Sequence, residues 1–532
     1  MDFTELNFPE KFNAAERFVD WNVEQGRGNK VAIYYKDDEI TYQQVLDNVN
    51  RTGNALKSLG IEMENRVLLL ANDCPEFVYT FFGAMKIGAV PVTSNTMLMP
   101  EDYRYLLNNS RAKVIVVSGD LLPRIMKVKD ELMFLKHIIV IGEPVEGTID
   151  FYGLINGFPA ECAAAPTSPD DAAFWLYTSG TTGLPKGVVH LHHDMDCSAE
   201  YYAKGILGIN ENDRTFSVAR LFYAYGLGNG MFFPFYVGAS TILDPARPLP
   251  DHVISVVTKY KPTLFFGVPT SYNAMLQVPD VEKKYDLSSI RLAASAGEAL
   301  PGTVWQGWKE KFGVEILDGI GSSETLHIYI SNRPGESKPD CTGKIVPGYE
   351  AKIVDGDGNP VPIGEPGTLM IKGESIAGYY WNNHEKTKDT FVGHWFNTGD
   401  IYCQDAEGYF INAGRGDDMI KAGGIWVSPV EVETALMKHP AVLECGVIGS
   451  ADANGLIKPK AYVVFKDGIK ANDELMNEVK LFVKNTIAPY KFPRFIERID
   501  ELPKTATGKI QRFKLRQLDE KKKRKPEALS TA

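Results

Sequence analysis

Four apolar runs early in the chain constrain its fold more than any other feature. Val67-Leu-Leu-Leu-Ala71, Ala89-Val-Pro-Val92, Lys113-Val-Ile-Val-Val117 and His137-Ile-Ile-Val-Ile141 are short, and polar residues scarcely interrupt them. Runs of this kind are strands buried on both faces. Around them lie amphipathic helical patterns, Tyr42 to Leu59 and Pro75 to Ile87. Strand and helix in alternation predict a parallel sheet covered on both sides.

A stretch rich in Pro, Ala and acid (159–171) leads to a second alternating block. Its strand candidates are Ala172 to Tyr177, Thr263 to Gly267 and Ile290 to Ser295. From about 340 to 415 the texture changes to short runs divided by Gly-Asp-Gly and Gly-Glu-Pro-Gly turns, the mark of a small antiparallel β unit. Beyond 417 an α+β segment remains, with Ala461-Tyr-Val-Val-Phe465 and a helix from Glu474 to Thr486. At 532 residues the chain exceeds what one core serves. The expected organisation is an N-terminal domain over 1–416, a C-terminal α+β domain over 417–519, and a basic flexible tail over 520–532.

A net charge of −11 argues against nucleic-acid partners, which require a basic face. The six cysteines are scattered, with no CxxC pair, which suits free thiols in a reducing compartment. The N-terminus has neither a basic nor an apolar signal region, and the most apolar stretch, Gly230 to Leu243, is too short and broken to span a bilayer. A cytoplasmic protein without a membrane partner is expected. The sequence leaves the oligomeric state open, a homodimer included.

The strongest local motif is Tyr177-Thr-Ser-Gly-Thr-Thr-Gly-Leu-Pro-Lys-Gly187. A strand leads into glycines and hydroxyls, then a lysine, then a predicted helix from Val188. Gly180 and Gly183 let backbone approach a polyphosphate, Thr178, Ser179, Thr181 and Thr182 can donate hydrogen bonds, and Lys186 supplies charge. The spacing is not the GxxxxGK[ST] of nucleotide hydrolases, because Lys186 follows Pro185 and precedes Gly187.

Four further segments follow in order. They are Ser295-Ala-Gly-Glu298 with Asp318-Gly-Ile-Gly-Ser-Ser-Glu-Thr325, then Trp395-Phe-Asn-Thr-Gly-Asp400, Gly414-Arg-Gly-Asp-Asp-Met-Ile-Lys421 and Leu502-Pro-Lys-Thr-Ala-Thr-Gly-Lys-Ile-Gln511. Each alone is ordinary turn chemistry. As a set, over nearly the whole chain, they resemble the adenylate-forming superfamily of acyl- and aryl-CoA ligases.

That resemblance implies a large N-terminal domain of two layered α/β subdomains plus a small β-barrel-like unit, followed by a small mobile C-terminal domain. It implies ATP, Mg²⁺ and coenzyme A. Ala296, Gly297 and Glu298 would back the adenine, with Asp318, Gly319 and Ile320 in the facing segment. Ser323 would reach the phosphates, and Glu324 would hold the metal. Family members often carry an aromatic residue where Ile320 stands and Thr where Ser323 stands. Asp400 would accept hydrogen bonds from the ribose hydroxyls, Arg415 would reach the ribose or phosphate, Asp417 would be the hinge, Gly424 would line the pantetheine tunnel, and Lys509 would be the adenylating lysine. Lys504 is the weaker candidate for that last role.

Leu221-Phe-Tyr-Ala-Tyr-Gly-Leu-Gly-Asn229 falls where the family builds its acyl pocket and is similar to benzoate-type ligases, which commonly read Phe-Phe-Ala-Tyr. Phe222, Tyr223, Ala224, Tyr225, Gly321 and His327 are the expected pocket residues. Tyr223 either meets a hydroxy or amino substituent or narrows the pocket. His327 either faces the ring or bonds a backbone carbonyl in the core. The expected reaction converts benzoate, or a small substituted benzoate, with ATP and CoA to the thioester, AMP and pyrophosphate. The alternatives are a ligase for a short or cyclic aliphatic acid, an enzyme loading a carrier protein, and an ATP-binding regulator without chemistry.

Overall fold

The computed structural model describes residues 6–178, 184–284, 286–416, 418–422, 425–452, 457–469, 471–487, 491–504 and 510–524. The chain is mixed α/β, with a large N-terminal domain and a small C-terminal one.

The four apolar runs form the middle of an eight-stranded sheet. Val90–Thr93, Arg66–Leu70, Val114–Ser118 and His137–Ile141 pair in parallel, and every residue of Val114–Ser118 is buried. The helices Tyr42–Ser58 and Pro75–Lys86 match their sequence patterns, and the first begins with a capping box between Thr41 and Gln44.

Two expectations are corrected here. Ala172–Thr178 joins this first sheet, parallel to Val90–Thr93, and is not part of the second. No helix starts at Val188. Lys186–Leu191 is a strand folded back antiparallel on Ala172–Thr178, and helix begins only at His192. Val188 and Val189 are fully buried, and Val188–Val189 pairs in turn with the edge strand Tyr379–Tyr380. Cross-strand partners on both sides outweigh local helix propensity.

The second sheet has nine strands. Its parallel centre runs Ile316–Gly321, Leu292–Ser295, Leu264–Gly267, Arg214–Ser217, Ser240–Leu243 and Val31–Tyr35. Val31–Tyr35, first in the chain, therefore completes a sheet whose other parallel strands come much later. The turn-rich segment after 340 is a five-stranded antiparallel sheet that includes Gly367–Gly373, Trp395–Gln404 and Phe410–Arg415.

In the C-terminal domain, Val442–Ala451, Ile457–Phe465 and Phe495–Arg498 form a three-stranded sheet covered by Pro429–Met437, Asp473–Thr486 and Arg512–Arg524. The last helix corrects the tail. Residues expected to be flexible from 520 are helical to Arg524, and Lys523 Nζ bonds Asp519 at 2.9 Å. Among the described residues no helix is long and apolar enough to cross a membrane. All six cysteines are free thiols.

Candidate active site

In parallel sheets ligands gather at the carboxyl ends of the strands, and three motif segments leave strands there. Thr178 ends its strand directly opposite Lys186. Leu292–Ser295 runs into Ala296, Gly297 and Glu298, with Ala296 buried and Gly297 at φ +96°. Ile316–Gly321 carries Asp318, Gly319 and Ile320 and delivers a short 3-10 turn, Ser323–Thr325. Ser179, Gly180, Thr181, Thr182 and Gly183 lie outside the described residues, as do Asp417, Gly424 and Lys509. Arg415 is described only as backbone opposite Asp400.

The structure brings Lys186 and Glu324 to one side chain that no motif pointed to. Tyr380 donates its hydroxyl to Glu324 Oε1 at 2.7 Å, and Lys186 Nζ lies over the same ring, 4.6 Å from its centroid. Glu324 Oε2 makes no hydrogen bond among the described residues. Behind the turn, buried His190 contacts the Ser323 carbonyl through Nε2 and Asp194 through Nδ1, both at 2.7 Å. Both ring nitrogens are engaged by oxygens, so the pair braces the turn from below. His190 lies in the strand Lys186–Leu191 and Asp194 in the helix His192–Ser198, so no helical spacing in the sequence marks the pair.

Beside Ala296–Glu298, burial holds the Asp318 carboxyl well above the usual range, and its Oδ1 has no hydrogen-bond partner among the described residues. It lines a cleft of about 220 Å³ between the N-terminal domain and the helix Pro429–Met437. Glu298 Oε1 accepts from the backbone N–H of Ile510 at 3.2 Å, which ties the chain just after Lys509 to this segment. Lys504, by contrast, is paired with Glu444 inside the C-terminal domain. Asp400 sits after Gly399 at φ +71°, its N–H donating to Thr398 Oγ1 at 3.1 Å.

The aromatic segment adjoins these elements. The Tyr225 hydroxyl donates to the Ala294 carbonyl at 3.0 Å, on the strand feeding Ala296–Glu298. Phe222 and Ala224 are buried. Gly321 has no room for a side chain, since a Cβ would stand 2.4 Å from the His327 carbonyl oxygen. His327 is 2% exposed, ringed by Tyr202, Tyr225 and Phe233, and its Nε2 lies 3.3 Å from the Tyr225 carbonyl. Of its two expected placements, the carbonyl-bonded one is found.

Burial lowers the His327 pKa to about 3. In the window from 6.5 down to 3, the unfolded chain therefore binds a proton that the folded chain refuses, so this residue removes stability as pH falls. A His327→Gln variant is expected to show a shallower decline in unfolding free energy from urea titrations between pH 7 and 5, by up to about 1.4 kcal/mol per pH unit. Parallel declines in parent and variant would show that His327 is not held neutral.

Tyr223 is positioned by Asn95, another residue the motifs missed. Met97 N–H donates to Asn95 Oδ1 at 2.9 Å, which fixes the amide so that Nδ2 donates to the Tyr223 oxygen at 3.0 Å. Burial pushes the Tyr223 pKa up to about 12, so the phenol keeps its proton.

A lysine hairpin and a single-carboxylate turn, joined through one tyrosine at the strand ends of two mainly parallel sheets, suit an adenylating enzyme. The pattern of the AMP-binding enzyme family matches residues 19–381, and that of its C-terminal domain matches 431–509. The chain belongs to the AMP-binding enzyme family. It is 48% identical to a benzoate–CoA ligase of Thauera aromatica over 96% of this chain and 97% of the relative. An anthranilate CoA ligase solved with anthranoyl-AMP superposes with a TM-score of 0.94 at 46% identity, covering 96% of this chain and 98% of that one. A benzoate CoA ligase from Burkholderia xenovorans LB400 gives 0.88 at 44%, covering 95% and 100%.

Proposed function

We propose that the chain is an AMP-forming aryl-acid:CoA ligase acting on benzoate or a small substituted benzoate. The observation that carries this reading is the Tyr225–Ala294 bond, which joins an aromatic-walled segment to the strand leading into the nucleotide segment. The acid's carboxylate oxygen attacks the α-phosphorus of ATP, and pyrophosphate leaves. The thiolate of CoA then attacks the mixed anhydride and releases AMP.

Both reactants of the first step are anions, so the step needs positive charge placed before the reaction begins. Lys186 and Lys509 supply it. A bound Mg²⁺ would neutralise phosphate charge and align the leaving group. Mg²⁺ takes one or two carboxylates plus phosphate oxygens, and Glu324 fits, with Oε1 anchored and Oε2 open to a ligand. Asp400 and Arg415 bind the ribose, and Asp318 with Ala296–Glu298 flanks the adenine. The division at 416 and 417 lets the C-terminal domain rotate about Asp417 between steps, with Gly424 giving passage to the pantetheine arm. Six free thiols support a cytoplasmic setting.

The direction of the Asn95 bond sharpens the substrate reading. Asn95 donates to Tyr223, so the phenol proton is left to donate elsewhere, and a hydroxy or amino group on the substrate ring can accept it. The test is substrate-dependent AMP release with ATP, Mg²⁺ and CoA across benzoate, hydroxy- and aminobenzoates, cyclohexenecarboxylate and short fatty acids. Tyr223→Phe is expected to shift preference toward unsubstituted benzoate by roughly tenfold, the weight of one hydrogen bond. Turnover of aliphatic acids alone would overturn the aryl reading while leaving the adenylation chemistry intact.

A further inference from the structure

The segment 377–381 is bonded to both charged elements of the site. Ala377 N–H donates to the Glu324 carbonyl at 2.7 Å, Gly378 N–H to Val189 at 3.0 Å, and Trp381 N–H to Gly187 at 2.8 Å. It therefore staples the lysine hairpin to the glutamate turn through the backbone. Tyr380 completes the connection with its side chain, which is 3% exposed.

One ring addresses two opposite charges by different chemistry. Its hydroxyl donates to Glu324 Oε1 at 2.7 Å, while its face receives Lys186 Nζ at 4.6 Å from the centroid. A phenol–carboxylate hydrogen bond is charge-assisted and fixes the carboxylate's rotation. The ring quadrupole seats an ammonium without consuming its hydrogen-bond donors. Both charged side chains are thereby held against the same ring.

We propose that Tyr380 is a positioning residue for adenylation: it turns Glu324 Oε2 toward the divalent cation and seats Lys186 for the nucleotide phosphates. The proposal rests on Glu324 being the cation's carboxylate. Groups that orient a metal ligand typically govern metal affinity by tenfold or more. They do so because the ligand is already locked when the ion arrives.

Tyr380→Phe keeps the ring and removes one oxygen. The Mg²⁺ concentration giving half-maximal acid-dependent ATP–pyrophosphate exchange is expected to rise about tenfold, with the rate recovering at saturating Mg²⁺. Thioester formation from supplied aryl-adenylate and CoA should be unchanged. Tyr380→Leu also removes the ring face and is expected to raise KM for ATP in addition. The Phe variant, which deletes no packing, is its folding control.

A parent-like Mg²⁺ midpoint in Tyr380→Phe overturns the proposal. So does an equal loss in both half-reactions, or a loss that Mg²⁺ does not relieve, either of which marks a purely structural tyrosine. Glu324→Gln is measured in parallel. A raised midpoint there with Tyr380→Phe unchanged overturns the tyrosine's role alone. A parent-like midpoint in Glu324→Gln overturns the cation reading beneath it.

Discussion

Lys509→Ala is expected to slow acid-dependent ATP–pyrophosphate exchange roughly 10²–10³-fold, the usual cost of removing one preorganised charge from a transition state. Conversion of supplied benzoyl-adenylate and CoA to the thioester should change little. The asymmetry follows from the chemistry. In the first step a carboxylate approaches a phosphate, and negative charge builds on the atoms between them. In the second a thiolate meets an anhydride already activated, and its negative charge passes to the departing AMP after Lys509 has withdrawn. The residue after Lys509 donates its N–H to Glu298 at 3.2 Å, which holds this part of the C-terminal domain against the segment after Leu292–Ser295. On the proposed two-conformation account this contact belongs to adenylation and opens before the thiol enters. The two half-reactions are measured separately by radiolabelled pyrophosphate exchange and by thioester formation from synthetic adenylate. Equal losses in both would sink the two-conformation account.

Much of the fold was legible because its strands declare themselves locally. Val67 to Leu70 and Val114 to Val117 are too apolar to have a wet face, and uniform burial makes a strand parallel and central. What local reading could not supply was partnership. Ala172–Thr178 lies close in sequence to the second block and yet pairs with Val90–Thr93. The run after Lys186 resembles the helix that follows many phosphate loops. Its conversion to a strand depends on Tyr379 and Tyr380, which are distant in the chain.

The site divides along the same line. Residues expected to meet a ligand sit in short motifs with fixed spacing, and Lys186, Glu324 and Asp400 were named from those. Tyr380, His190 and Asn95 act through another side chain, and nothing in the spacing around them marks that. Asn95 reaches Tyr223 by lying just past the carboxyl end of Val90–Thr93, a consequence of tertiary packing. His327, like Tyr223, was a pocket residue with two stated alternatives. Steric detail decided it, since a side chain at Gly228 would place a Cβ 2.5 Å from its ring.

Arg512→Ala is expected to destabilise the C-terminal domain by about 3 kcal/mol, because it strands a carboxylate away from water. Arg512 and Glu433 are only 17% and 13% exposed, and they meet through a two-pronged contact whose shortest bond is 2.7 Å. Burial pushes the Glu433 carboxyl up, and Arg512 opposes that push. Arg512 also lies 3.4 Å from Asp418, which Arg516 holds at 2.9 Å, so the last helix is fastened beside the expected hinge. Losing the guanidinium should therefore both loosen the helix and impair presentation of Lys509. Hydrogen exchange in peptides from 429–524 reads the first effect, and pyrophosphate exchange reads the second. Arg498→Ala is the comparison, because its pair with Asp500 is 60% and 89% exposed and should contribute no more than about 0.5 kcal/mol. Replacing both partners, Arg512→Leu with Glu433→Leu, should restore most of the protection, since an apolar pair leaves no buried charge unpaired. If the double variant is as loose as the single one, the helix depends on the ion pair itself and not on avoiding a stranded charge. If Arg512→Ala is no looser than Arg498→Ala, the cluster does not fasten the helix at all.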